Sequence, residues 1–290
     1  MDEIDATQPK VLLAGDTHGF IQHIRYLLDI AEREGCAHVF QLGDFGYWPH
    51  TGDGRAFLRD VEKFAGKVGR IIYWLDGNHD KSSLIDHSEK DGHGFVLVSE
   101  HVRYAPRGHR WTWAGTRFIA LGGAYSVDKS WRLEQEAARN QRYAAETALY
   151  GKRPRSADEL LWFPEEELTD AELAQALANP ELVDVMLTHD KPRASDPRWN
   201  RKNMPECLPN QDRIQAAVDA LRPRLLVHGH LHFPYRDQIR AGGKGWTTVV
   251  GLDCDAEAAQ NWDYDKKDSW TVLSLEAAGR TSNCGELDRG

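Results

Sequence analysis

The sequence predicts an α/β fold in which two β-sheets form a sandwich flanked by helices. Short apolar, β-rich runs recur along the 290 residues and end in glycine or polar residues. Amphipathic helical stretches separate the early runs, and alternating strand patterns fill the middle and close the chain.

The first run, 11–14, leads into Gly15-Asp16-Thr17-His18-Gly19. Residues 20–34 then read as a helix: Ile21, Ile24, Leu27, Leu28 and Ala31 share one face, and Gly35 is a stop. Run 39–42 precedes Gly43-Asp44, and 57–64 is a shorter amphipathic stretch. Run 71–75 ends in Asp76-Gly77-Asn78-His79-Asp80. From 95 to 123 the pattern alternates as strands, with turns at Arg107-Gly108 and Ala114-Gly115-Thr116. An Arg/Ala-rich helix follows. Run 183–187 precedes Thr188-His189, and run 225–227 precedes His228-Gly229-His230-Leu231-His232. Strands at 246–251 and 270–275 complete the sandwich.

Composition removes several classes. With 41% hydrophobic residues the chain has apolar sequence for a sizeable core, which excludes disordered and fibrous proteins. Acidic residues outnumber basic ones 45 to 36, and the net charge of −9 argues against broad, non-specific nucleic-acid binding. It leaves room for a local site for an anion. The four cysteines are dispersed, so neither a disulfide framework nor a cysteine zinc finger is expected. Residues 1–10 lack a signal-peptide pattern, and no apolar run approaches a membrane span, so a cytoplasmic protein without membrane contact is expected. A single domain over 1–290 is expected, with 124–183 as a cap insertion and 277–290 as a flexible tail.

The chemistry-bearing residues sit where strands end. Five segments deliver Asp16, His18, Asp44, Asn78, His79, His189, His230 and His232. Loops after the carboxyl ends of strands are where α/β sheets bind ligands. Carboxylate, amide and imidazole without thiolate suit hard or borderline divalent ions such as Mn, Fe or Zn. In Asp16-x-His18 and His230-x-His232 the spacing puts both side chains on one side of an extended segment. His228 is expected on the opposite face and is left out. Each piece alone reads equally well as a turn or a surface histidine; their conjunction in one order does not.

In that order, Gly-Asp-Thr-His-Gly, Gly-Asp-Phe, Gly-Asn-His-Asp, Thr-His and Gly-His-Leu-His resemble the calcineurin-like metallophosphoesterases, over residues 11 to about 275. Two segments, Gly-Gly-Ala-Tyr-Ser-x-Asp-Lys and Trp-Phe-Pro-Glu-Glu, resemble bacterial and phage members. The resemblance implies a four-layer α/β/β/α sandwich with two mixed sheets and a helical insertion, built around a binuclear metal centre. Asp16, His18 and His232 would hold one ion; Asn78, His189 and His230 the other; Asp44 would bridge them. His79 matches the family's substrate-facing histidine, which is not a ligand. Two such ions, about 3.5–4 Å apart, lower the pKa of a bridging water, and the resulting hydroxide attacks phosphorus in line. His79 would protonate the leaving oxygen or bond a phosphoryl oxygen. The sequence has no G-x-x-x-x-G-K-[ST] loop for a nucleoside triphosphate.

The family's protein serine/threonine phosphatases continue the second motif as Gly-Asp-x-Val-Asp-Arg-Gly. Here Gly43-Asp44-Phe45-Gly46-Tyr47-Trp48 lacks the second aspartate and the arginine, which counts against a protein phosphatase. Asp76 or Asp80 would be left to orient His79, although a turn role is the favoured reading for both. In the insertion, Tyr125, Lys129 and Arg132 are candidate phosphate or leaving-group contacts, weighed against a solvated helix face. Tyr47, Trp48, Trp111, Trp113 and Trp131 are candidates for base stacking, with core packing expected for most.

The resulting expectation is a metal-dependent phosphodiesterase for small phosphodiesters, above all nucleotides, including 2′,3′- or 3′,5′-cyclic ones. It would carry two divalent ions, manganese foremost, with Fe, Zn, Ni and Mg as the others the site type accepts. Phosphomonoesterase activity and processing of RNA or DNA ends are the alternatives. A non-catalytic interaction module is disfavoured because every ligand type and His79 are present.

Overall fold

In β1 (Lys10–Ala14), Val11 and Leu13 pack on one side and Leu12 and Ala14 on the other, all fully buried. That alternation is repeated strand by strand and builds the layers. The computed structural model of the protein describes residues 10–151, 162–197, 204–255 and 265–275. The expected tail at 277–290 lies outside the described residues.

The first sheet has the order β12-β1-β2-β3-β5-β4, with β2 at His38–Leu42, β3 at Ile72–Leu75, β4 at Val96–Leu97, β5 at Val102–Tyr104 and β12 at Trp270–Ser274. Strands β1, β2, β3 and β5 are parallel, and the edge strands β12 and β4 are antiparallel. The second sheet comprises β6 (Arg110–Trp113), β7 (Thr116–Leu121), β8 (Val185–Thr188), β9 (Leu225–His228), β10 (Tyr235–Ala241) and β11 (Gly245–Gly251). Its order is β10-β11-β9-β8-β7-β6, again four parallel strands with an antiparallel strand at each edge. Both sheets are mixed, as the resemblance implies.

Between the sheets, Val11, Leu13, Phe40, Leu42 and Tyr73 meet Trp111, Trp113, Phe118, Val185 and Val227. Aromatic rings fill this layer: Trp111 lies parallel to Phe40 at 5.4 Å and to Phe118 at 5.1 Å. On the outer face of the first sheet, Leu12, Val39, Ile72 and Trp74 pack against α1 (Ile21–Arg33) and α2 (Gly52–Val68). On the outer face of the second, Ile119, Met186, Leu226 and Val249 pack against α5 (Leu208–Leu221). The result is the expected α/β/β/α sandwich.

Three differences from the sequence reading have local causes. Helix α2 is longer than 57–64 because Thr51 caps its first turn, accepting from Gly54 N at 2.9 Å, and Gly69 ends it in a left-handed conformation. Helix α5 lies outside the sequence expectation, since its buried side includes Asn210 and Gln211, which blur the apolar stripe. Strand β10 is an edge strand with the consecutive charges Arg236 and Asp237 in its first half, and only Ile239 and Ala241 are buried. Between β7 and β8 the chain forms α3 (Lys129–Tyr150) and α4 (Asp170–Leu177), the latter started by a Thr169–Glu172 capping box. Among the described residues, no helix is long and apolar enough to cross a membrane.

Candidate metal centre

The loops leaving β1, β2, β3, β8 and β9 converge. Thr17 N and His18 N both donate to the Asp44 carbonyl, at 3.2 and 2.7 Å, and Gly19 N donates to the Phe45 carbonyl, lacing the first two loops together. The approach is close enough to require glycine at two points. A Cβ on Gly77 would lie 2.2 Å from Asp44 Oδ1, and one on Gly229 would lie 2.1 Å from Asp16 Oδ1.

His18, Asp44, His230 and His232 have φ of 41°, 54°, 64° and 50°, four of the six positive-φ non-glycine residues among those described. Left-handed backbone is costly for such residues and concentrates at functional sites. This corrects the expectation of extended Asp-x-His and His-x-His segments. The two histidines of His230-x-His232 turn to different neighbours instead of sharing one face.

Two groups result, each with ligand atoms within 4.8 Å of one another: Asp16, His18 and His232, and Asp44, His189 and His230. His232 Nε2 lies 2.9 Å from Asp16 Oδ2, and the His189 and His230 rings are 5.0 Å apart. Asp44 joins the groups: its Oδ2 is 3.4 Å from His18 Nε2 and its Oδ1 is 3.4 Å from His189 Nε2. Asn78 adds its Oδ1 at 3.0 Å from His189 Nε2. Its Nδ2 donates to Ser126 Oγ at 2.9 Å, which orients the amide.

The imidazoles test whether cations fit here. His189 Nδ1 donates to the Leu42 carbonyl at 2.7 Å, so Nε2 faces Asn78 and Asp44 oxygens. His18 repeats the pattern, with Nδ1 2.8 Å from Asp255 Oδ2 and Nε2 toward Asp44 Oδ2. A neutral imidazole has one N–H, so each ring would aim a lone pair at oxygen lone pairs unless a cation lies between. In the metal-free protein protons meet that need. Burial pushes the His18 imidazolium down, but the bonds to Asp255 and Asp44 outweigh it and hold it up at about 10. Burial also opposes a charged His189, yet Asp44 and Asp16 raise it to about 9. Burial alone would raise the Asp44 carboxyl; His79 and His189 hold it well below the usual range. Divalent cations would replace these protons, and the donor set suits them.

His79 is held by its backbone: N donates to Asp44 Oδ1 at 2.8 Å, and its carbonyl accepts from Trp48 Nε1. Its ring Nε2 is 3.9 Å from Asp44 Oδ2 and 3.4 Å from Arg132 Nη2. Burial, with Arg132 and His18, pushes the imidazole down to about 4 against the pull of Asp44. Neither neighbouring aspartate is left to orient the ring. Asp80 accepts from Phe45, Gly46, Tyr47 and Gly77 N–H groups, and Asp76 is bound by Arg107 and Tyr104. Asp80 includes a contact within its own turn, to Gly77, whereas Asp76 is held by partners 28 and 31 positions away, so the turn reading does not describe Asp76.

Of the insertion candidates, Arg132 reaches His79. Lys129 Nζ lies 4.2 Å from the Trp162 ring centroid and 5.3 Å from that of Tyr125, with Glu166 Oε1 at 3.6 Å. Among the aromatic candidates, Tyr47, Trp111 and Trp113 are buried, whereas Trp131 is 57% exposed. Two residues escaped the sequence reading. Ser126 sits inside a quoted motif but has no charge to flag it. Asp255 follows β11, a further parallel strand end, and that position was the available signal.

The model of the calcineurin-like phosphoesterase family matches residues 9–234. No curated protein matches the chain. Among solved structures, the protein TT1561 of Thermus thermophilus is 13% identical with a TM-score of 0.52, over 97% of this chain and 98% of that one. A dimetal phosphatase from Danio rerio is 14% identical with a TM-score of 0.50, over 92% of this chain and 93% of that one. At these identities the two likenesses speak for the fold alone.

Proposed function

The chain belongs to the calcineurin-like phosphoesterase family, and from that membership we propose that it is a metal-dependent phosphodiesterase acting on small nucleotides, cyclic ones included. Two divalent ions, manganese foremost, would be held by Asp16, His18 and His232 on one side and Asn78, His189 and His230 on the other, with Asp44 between. The observation that carries the reading is Asp44 itself, a buried carboxylate presenting one oxygen to each group. When bound, the ions supply Lewis acidity toward phosphoryl oxygens and an activated water.

The chain's own residues do the rest. His79, neutral at pH 7, offers an N–H to the leaving oxygen or a phosphoryl oxygen. Arg132 supplies positive charge beside that ring, and a single arginine suits the one negative charge of a diester better than the two of a monoester. Tyr125 and Lys129 would line the same insertion, as a cap over the substrate.

The test compares bis(p-nitrophenyl) phosphate with p-nitrophenyl phosphate in the manganese-loaded protein, before and after chelation. Faster turnover of the diester, abolished by chelator, is expected. Preference for the monoester would reassign the protein as a phosphomonoesterase, and chelator-insensitive turnover would overturn the metal assignment. Cyclic mononucleotides should outcompete oligonucleotides carrying the same cyclic-phosphate ends; the reverse order would identify an end-processing enzyme.

A further inference from the structure

Asp255 is fully buried and stands four residues past the end of β11, 237 positions from the histidine it meets. Its backbone N donates to the Asp16 carbonyl at 2.9 Å, which fixes it against the first motif. Its Oδ2 lies 2.8 Å from His18 Nδ1. A carboxylate accepts, so the ring proton belongs on Nδ1 and the Nε2 lone pair points toward Asp16 and Asp44.

We propose that Asp255 is a positioning residue for the cation site formed by Asp16, His18 and His232, acting by fixing the tautomer and ring orientation of His18. This rests on the metal reading above. The need for such a residue is greater at His18 than at His189. His189 is fully buried and its Nδ1 donates to the Leu42 carbonyl, an acceptor that belongs to a sheet strand. The His18 side chain is 19% exposed, on left-handed backbone in a loop, and its Nδ1 is met by Asp255. Without that acceptor the alternative tautomer would turn an N–H toward Asp44 and Asp16, in the space a cation takes. A carboxylate at the far nitrogen also makes the imidazole a better donor, and losing such a partner typically costs about 10–100-fold in metal affinity.

The test measures Mn²⁺ binding to the full-length protein by electron paramagnetic resonance for the unaltered chain, Asp255→Ala and Asp255→Asn. The unaltered chain should bind two ions. Asp255→Ala should weaken one ion by about 10–100-fold and leave the other within about threefold. Asn can still offer its Oδ1 to Nδ1–H, as the Leu42 carbonyl does for His189, so Asp255→Asn should recover part of the loss. Unchanged affinity for both ions in Asp255→Ala would overturn the proposal. Absence of metal binding in the unaltered chain would instead overturn the metal reading beneath it. A long-range ¹H–¹⁵N spectrum of the unaltered zinc-loaded protein tests the same point without any variant. It should show His18 protonated at Nδ1 with the metal on Nε2, and the opposite assignment would overturn the proposal even if both variants failed to fold.

Discussion

Arg132 brings Nη2 to 3.4 Å from His79 Nε2, while its Nε donates to Asp128 Oδ2 at 2.9 Å. The second motif lacks an arginine, and a helix inserted more than 80 residues later places one at His79. Arg132→Ala should lower kcat/KM by about 10–100-fold, the worth of one or two charge-assisted hydrogen bonds. Burial first, and then Arg132, hold the His79 imidazole down, so removing Arg132 should move the His79 titration, followed by NMR in the metal-free protein, to higher pH. Arg132→Lys keeps a positive charge and should recover part of that shift. An unchanged His79 titration in Arg132→Ala would remove Arg132 from the site.

Metal content and turnover should separate the two neighbours in Asn78-His79. Asn78→Ala and His189→Ala each delete a proposed ligand, so bound metal, measured by mass spectrometry after desalting, should fall along with activity. His79→Ala should retain its metal and lose about 10²–10⁴-fold in kcat, the range for a positioned acid–base group. Full activity in all three, without bound metal, would sink the mechanism.

Asp80 holds two loops together with one carboxylate. Oδ1 accepts from Gly46 and Tyr47, Oδ2 from Phe45 and Gly77, at 2.8–3.0 Å. Asp80→Asn keeps the volume but points an NH₂ at two N–H donors. It should cost about 2–6 kcal/mol, because each of the two buried donors left unpaired costs about 1–3 kcal/mol. Urea unfolding within error of the unaltered chain would contradict this.

His109 predicts an acid sensitivity far from the metal groups. Its ring stacks on Trp111 at 5.5 Å and meets Phe95 edge-on at 4.5 Å. Burial first, then Lys90 and His93, pushes it down from 6.5 to about 4. The folded state therefore binds this proton less readily than the unfolded chain. The contribution to stability is full above pH 6.5 and is lost as pH falls through 4. His109→Phe should flatten that limb, read as a smaller drop in the urea midpoint between about pH 7 and about pH 4.5.

The strand ends were legible in sequence because local chemistry sets them: a β-rich apolar run, then glycine or, before His189, threonine, then a donor. Asp16, Asp44, Asn78 and His189 all lie where that pattern places them. Helix α5 and strand β10 were not legible. Burial of Asn210, whose Nδ2 donates to the Gly123 carbonyl and to Asp190 Oδ2, depends on partners 87 and 20 positions away that no periodicity reports.

By itself the sequence determined the layer architecture, the donor types and the loops that carry them, since alternation and strand-end chemistry act over a few residues. The resemblance implies how the donors are shared out, and only the tertiary structure supplies the geometry behind it. It separated His230 from His232 through left-handed backbone, set Asp44 between His18 and His189, and brought Asp255 and Arg132 to their histidines. Those relationships come from packing two sheets and an inserted helix against one another, and contacts spanning tens to hundreds of residues leave no signature in local sequence.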